Sequence, residues 1–115
     1  MQDVTLAALH TALRGLAERQ RVIADNVANI ETPNFRAGEV DFESSLANAM
    51  NAGNPDAARF DLHRSNAPTN INGNNVSLDD QTVALVDTNL RYQLTVQAVN
   101  SKFKLLSTAI KGSPE

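Results

Sequence analysis

Residues 24–37 read ADNVANIETPNFRA, and they end a regular helical pattern with amide side chains followed by Thr32-Pro33. Proline has no backbone N–H, and it disfavours the α conformation for the residue that precedes it. A helix that enters this stretch is therefore expected to end by residue 31. The break would let the chain turn away from the first helix and return alongside it.

Upstream of the break, apolar residues recur with the alternating three- and four-residue spacing of a coiled-coil seam. One slot of the repeat holds the polar Gln20, and Gly15 lies off the seam, where it weakens a helix by about 1 kcal/mol relative to alanine. With Asp3 as a candidate N-cap, the pattern predicts an N-terminal helix over residues 4–31. The seam consists of Leu6, Leu9, Leu13, Leu16, Ile23, Val27 and Ile30.

A second long helix is predicted over residues 78–111. Its start resembles a capping box, with Ser77 as the N-cap and Asp80 in place of the usual glutamate. Gly112 and Pro114 supply the stop signals. The two long helices together predict an all-α fold, in which they form an antiparallel coiled-coil-like hairpin within a single domain, residues 1–115.

The apolar residues of the second helix form two stripes, and Asn89 fills a gap in the first. The first stripe consists of Leu85, Tyr92, Val96, Val99, Phe103, Leu106 and Ile110. The second consists of Val83, Val86, Leu90 and Leu94. One antiparallel partner covers only one seam, so the second stripe needs further cover. That cover could be the middle segment folding back, or it could be a neighbouring subunit.

Within the hairpin we expect five residues of the first helix to pack against four of the second. The predicted contact set is Leu9, Leu13, Leu16, Ile23 and Val27 against Val96, Val99, Phe103 and Leu106. Replacing Phe103 with alanine would cost roughly 3–5 kcal/mol if the ring is fully buried.

The middle segment, residues 32–76, is predicted to be irregular and partly disordered. Asp41 could cap a short helix that presents Phe42, Leu46 and Met50 on one face. Residues 51–75 contain seven Asn, two Pro and two Gly, a composition that favours turns over packed elements.

Composition and motifs argue against catalysis and against cofactor or metal binding. The net charge of −3 does not suit a general nucleic-acid binder, and the chain has no cysteine. Its two histidines, His10 and His63, show no metal-ligand spacing, and the Asp79-Asp80 pair is explained by the start of a helix. We therefore predict no catalytic, metal-binding or cofactor-binding residue, and no segment that inserts into a membrane.

Charge is distributed unevenly along the second helix. From Arg91 to Lys111 there are four basic residues and no acidic one. This pattern is typical of a solvated helix C-terminus, where cations suit the helix dipole. A basic face that meets an acidic partner is the alternative.

The amides before Pro33 also have two interpretations. Asn29 could tie down the end of the helix while Asn26 contacts a neighbouring molecule, because asparagine bonds readily to exposed backbone groups. Alternatively, both side chains face solvent near a helix end.

The segment VIADNVANIETPNFRA closely resembles the N-terminal signature of the bacterial flagellar rod and hook family. Two departures are mild: Asn34 stands where many members have Gly, and Phe35 where many have Tyr. The second helix, with its LRYQ and NSKF stretches, is similar to that of the short proximal-rod members. The matching residues of the signature are Asn26, Ala28, Asn29, Thr32, Pro33, Phe35 and Ala37.

The resemblance covers about residues 4–42 and 73–112, and it implies a structural subunit of the flagellar basal body. Such subunits polymerise in the periplasm as a hollow helical rod, after export through the flagellum's own type III apparatus without a cleaved signal peptide. The implied partners are further copies of the chain, other rod proteins, the rod-base adaptor FliE and the export gate. No nucleic acid or small-molecule substrate is implied.

The alternative function is a cytosolic helical adaptor, or an export-chaperone-like module, that binds one partner helix on its extra apolar stripe.

Overall fold

The computed structural model describes residues 4–112, and two long antiparallel helices dominate it. The first helix, α1, spans Val4–Ala28, and the last, α3, spans Leu78–Lys111. The molecule is elongated, with extents of 65 × 29 × 15 Å. The elements between the long helices are strand β1 (Gly38–Asp41), helix α2 (Glu43–Asn51), a 3-10 turn (Pro55–Ala57) and strand β2 (Asp61–Arg64).

Both ends of α3 lie where the sequence predicts them. The Ser77 hydroxyl accepts a hydrogen bond from the backbone N–H of Asp80 at 3.3 Å, as an N-cap does. At the other end Gly112 adopts a left-handed conformation (φ +67°), and its N–H donates to the Thr108 carbonyl at 2.9 Å. The predicted cap Asp3 of the first helix and the predicted stop Pro114 lie outside the described residues.

The first helix ends at Ala28, three residues before the predicted end at residue 31. The side-chain amide of Asn29 donates to the Asp25 carbonyl at 2.9 Å, which satisfies the helix end locally. A turn then carries the chain through Thr32-Pro33. The proline is therefore the second of two stop signals, and the asparagine acts before it.

The middle segment contains a short antiparallel sheet, so the prediction of an all-α fold with an irregular middle is corrected. Strands β1 and β2 pair with Gly38 opposite Arg64 and Asp41 opposite Asp61. Asp41 consequently belongs to the sheet and does not cap α2; Phe42 takes the cap position without a side-chain bond. The strands went unpredicted because each has only four residues.

A small core joins this middle segment to α1. Leu16 and Val22 of α1 pack with Val40 of β1 and with Phe42. Leu46 is half-buried beside this cluster, whereas Met50, predicted to share its face, is exposed. The ring of Phe60 meets that of Phe42 edge to face at 6.0 Å between centroids.

Gly15 permits this packing, which reverses its predicted status as a weak point of the helix. The ring of Phe42 lies directly over Gly15, and a Cβ atom added there would lie 2.6–2.8 Å from three of its carbons. A larger residue would displace the ring. The middle segment is thus seated on α1 through a position with no side chain.

A charged pair fastens the edge of the same contact. The Arg19 guanidinium donates to both carboxylate oxygens of Glu43 at 2.7 Å and to the Val40 carbonyl at 2.6 Å. It also stacks over the Phe42 ring, 4.9 Å from the centroid. The hydrogen bond from Arg19 holds the pKa of the Glu43 carboxyl below its ordinary value. Arg19 therefore links α1, β1 and the start of α2.

The substitution Gly15→Ala tests the seating of Phe42. Overpacking costs about 1–3 kcal/mol, and the better helix propensity of alanine returns about 1 kcal/mol, so we expect a net loss of stability in urea unfolding. The double variant Gly15→Ala with Phe42→Leu should lose less than the sum of the single losses. A Gly15→Ala variant more stable than the natural chain would contradict this packing.

Candidate assembly surface

The inward face of α1 is turned by about one residue from the predicted seam. Of the predicted residues, Leu16 and Ile23 are buried and Val27 is exposed, while Leu6, Leu9, Leu13 and Ile30 are half-buried. The shift arises because α1 packs against the middle segment as well as against α3. The remaining buried residues of α1 are Ala8, Thr11, Gly15, Val22 and Asn26.

The first stripe of α3 is only partly covered. Val99 is buried, and Tyr92, Val96 and Leu106 are half-buried. Phe103, expected in the hairpin contact, is 51% exposed, so the predicted loss of 3–5 kcal/mol does not apply to the isolated chain. Leu85 and Ile110 are also exposed.

The two polar gaps of the seams meet each other. Gln20 of α1 donates through its amide to the side-chain oxygen of Asn89 of α3 at 2.7 Å. A polar pair inside an apolar seam fixes the register of two helices at some cost in stability. This bond therefore sets how the two long helices align.

The second stripe of α3 is bare in the single chain. Val83, Val86, Leu90 and Leu94 are 54–68% exposed. Leu90 and the buried Val99 are nine residues apart, which at 3.6 residues per turn places them on opposite sides of the helix. The middle segment packs on α1, so of the two alternatives for covering this stripe, a fold-back of the same chain is ruled out.

Asn26 is buried inside the chain and joins three elements. Its amide donates to the Gly38 carbonyl at 2.9 Å and to the Gln81 side chain at 3.0 Å, and its oxygen accepts from the Gly38 N–H at 2.8 Å. The side chain thus pairs with Gly38 as a neighbouring strand would. Neither predicted role for Asn26, contact with a neighbour or exposure to solvent, is correct.

The turn after α1 is held by a second buried amide. Asn74, which is fully buried, donates to the Asn29 carbonyl at 2.9 Å and to the Thr32 carbonyl at 2.8 Å. The Thr32 hydroxyl donates to the Asn29 side chain at 3.0 Å. Asn29 therefore does tie down the helix end, as one interpretation held, and a residue from the Asn-rich tract completes the turn.

The rest of the family motif lies on the surface of this turn. Pro33 is exposed, and Phe35 is half-buried with the Arg64 guanidinium 5.2 Å from its ring centroid. Asn75 continues the clamp, because its oxygen accepts from the Ala37 N–H at 2.7 Å. The Asn-rich composition was the available signal for Asn74 and Asn75, although composition alone predicted only turns.

Within the part of the chain that the structure describes, no three His, Asp or Glu side chains come close enough to hold a metal ion. His63 faces Glu39 across the sheet at 3.5 Å, and both are exposed. Among residues 4–112, neither long helix carries an apolar stretch sufficient to cross a bilayer.

A family model described as "flagella basal body rod protein" matches residues 6–36. The match covers most of α1 and the turn clamped by Asn29 and Asn74. It assigns this segment to the class of flagellar basal body rod proteins.

Curated relatives narrow the class. The chain is 31% identical to the flagellar basal body rod protein FlgB of Bacillus subtilis (strain 168), with 94% of each chain covered. It is 33% identical to FlgB of Borreliella burgdorferi, over 89% of this chain and 92% of the relative, and 27% identical to FlgB of Escherichia coli K12, over 89% of each. The chain therefore belongs to the FlgB family of flagellar basal body rod proteins, which are structural proteins and not enzymes.

The substitution Asn74→Asp tests the clamp on the turn. Aspartate has the same shape but cannot donate to the carbonyls of Asn29 and Thr32 when ionised, and a buried unpaired charge is added. We expect a loss of roughly 2 kcal/mol or more in urea unfolding at neutral pH. The exposed Asn66→Asp, in the same tract, adds the same charge and should change stability by less than about 0.5 kcal/mol. Equal losses in the two variants would contradict the role of Asn74.

Proposed function

We propose that this chain is a structural subunit of the proximal rod, and that it polymerises through its terminal helices into a hollow helical tube needed for flagellum assembly and motility. Membership of the FlgB family supports a structural role in the basal body rod. The observation that carries the polymerisation step is the bare apolar stripe on α3, Val83, Val86, Leu90 and Leu94.

The stripe is suited to contact between subunits. It lies on a regular helix whose other side packs on α1, so it is presented on a rigid surface and not on a loop. Contiguous exposed apolar surface of this kind commonly marks an interaction site. A contact between two different surfaces of one subunit does not close on itself, and it gives rings or helical filaments.

Transport and location form the second part of the proposal. The subunit would leave the cytoplasm through the flagellar type III apparatus without a cleaved signal peptide, and would assemble in the periplasm beside the export gate, FliE and other rod proteins. A small core and a polar Gln20–Asn89 pair in the seam are compatible with a chain that unfolds easily for passage. Ordering would then be completed on arrival, when neighbours cover the remaining apolar surface.

The double substitution Val86→Glu with Leu90→Glu tests this function. Both side chains are exposed, so the purified variant should keep its helix content and unfold within about 1 kcal/mol of the natural chain. In cells whose only copy is this variant, we expect loss of swimming and loss of the chain from isolated basal bodies. Motility assays and basal-body fractionation provide the readouts.

The matched control is Gln93→Glu, which adds negative charge at an exposed polar position of the same helix and should leave swimming intact. Normal motility of the double variant would contradict the proposed role of the stripe. Recovery of the natural chain in the cytosol, bound to one partner and absent from basal bodies, would favour the adaptor function instead.

A further inference from the structure

We infer that successive copies of this chain join head to tail along α3. In this contact the C-terminal third of one α3 packs lengthwise on the bare N-terminal third of the next. The inference rests on the proposed function and specifies the partner of the bare stripe as a second copy of the chain, held in one register.

The receiving surface is apolar and bordered by acids. Alongside the stripe, Asp79, Asp80 and Asp87 project from the first three turns of α3, and all three are exposed. Asp87 accepts from Arg91 at 2.8 Å on the solvent side, and neither partner is buried. A ligand for this surface should therefore be an apolar helix edge that carries basic residues.

The C-terminal third of α3 has that character. Phe103 and Ile110 are 51% and 86% exposed, and Lys104 and Lys111 are exposed beside them. At 3.6 residues per turn these four side chains fall within about a third of the helix circumference. The basic helix end, for which the sequence allowed either a solvated terminus or a docking face, thus combines charge with uncovered apolar surface.

The spacing of the charges fits one register. Lys104 and Lys111 are seven residues apart, as are Asp80 and Asp87. If Lys104 of one copy lies beside Asp80 of the next, Lys111 lies beside Asp87. The same offset of 24 residues, about 36 Å along a helix, places Ile110 beside Val86.

A single chain cannot make this contact with itself, because both surfaces lie on one continuous helix, Leu78–Lys111. Pairing two C-terminal thirds would bring lysines together, and pairing two N-terminal thirds would leave their acids without cations. Opposite charges on two different surfaces therefore favour a heterologous, open contact.

The test uses the absence of cysteine from the chain. In the inferred register Val83 of one copy lies beside Ser107 of the next, so the full-length variants Val83→Cys and Ser107→Cys are purified and concentrated separately, together, and as one double variant. After mild oxidation, we expect the two single variants to form a dimer only when mixed. The double variant should form a ladder of multimers on non-reducing gels.

Charge dependence is read in the double-cysteine background. Adding Lys104→Glu should remove the ladder, whereas Arg59→Glu, the same charge reversal at an exposed position of the middle segment, should retain it. High salt should weaken the ladder, because screening reduces attraction between exposed charges.

Three results would overturn the inference. A dimer of Val83→Cys alone would mean that two N-terminal thirds pair, and absence of every cross-link would mean that the surfaces do not meet. Equal ladders with Lys104→Glu and Arg59→Glu would remove the charge register. Fractionation of the natural chain with basal bodies separates these failures from failure of the proposed function, because it does not depend on which surfaces of α3 meet.

Discussion

The packing of the middle segment on α1 leaves α3 with one partner inside the chain. Gly15 has no side chain, so the Phe42 ring can lie directly on α1, and Arg19 holds Val40 and Glu43 at the same place. As a result α1 is covered on two sides and α3 on one. The bare stripe of α3 and its proposed use in assembly both depend on this asymmetry.

Buried amides connect the parts that the small core cannot hold alone. Asn26 links α1, β1 and the start of α3, and Asn74 closes the turn that follows α1. Each satisfies backbone groups that would otherwise be buried without partners, a loss that costs about 1–3 kcal/mol per group. Asparagine thus supplies much of the specificity of this chain, while apolar burial is modest.

The sequence predicts the long helices well because their signals are local. Both ends of α3 follow from Ser77 and Gly112, and the first turn after α1 follows from the residues around Pro33. The strands and the seat of Phe42 depend on pairing between distant residues, which periodicity does not reveal. Gly15 illustrates the limit, since helix propensity marks it as a weakness and only the position of Phe42 shows its purpose.

The most direct test of this account is a density map of an assembled rod base in which the chain can be traced. The account predicts that Val83, Val86, Leu90 and Leu94 are covered by a neighbouring copy of the chain, while Asn26 and Asn74 keep their contacts within one chain. A traced subunit whose stripe faces solvent or an open channel, with no neighbour against it, would contradict the central claim.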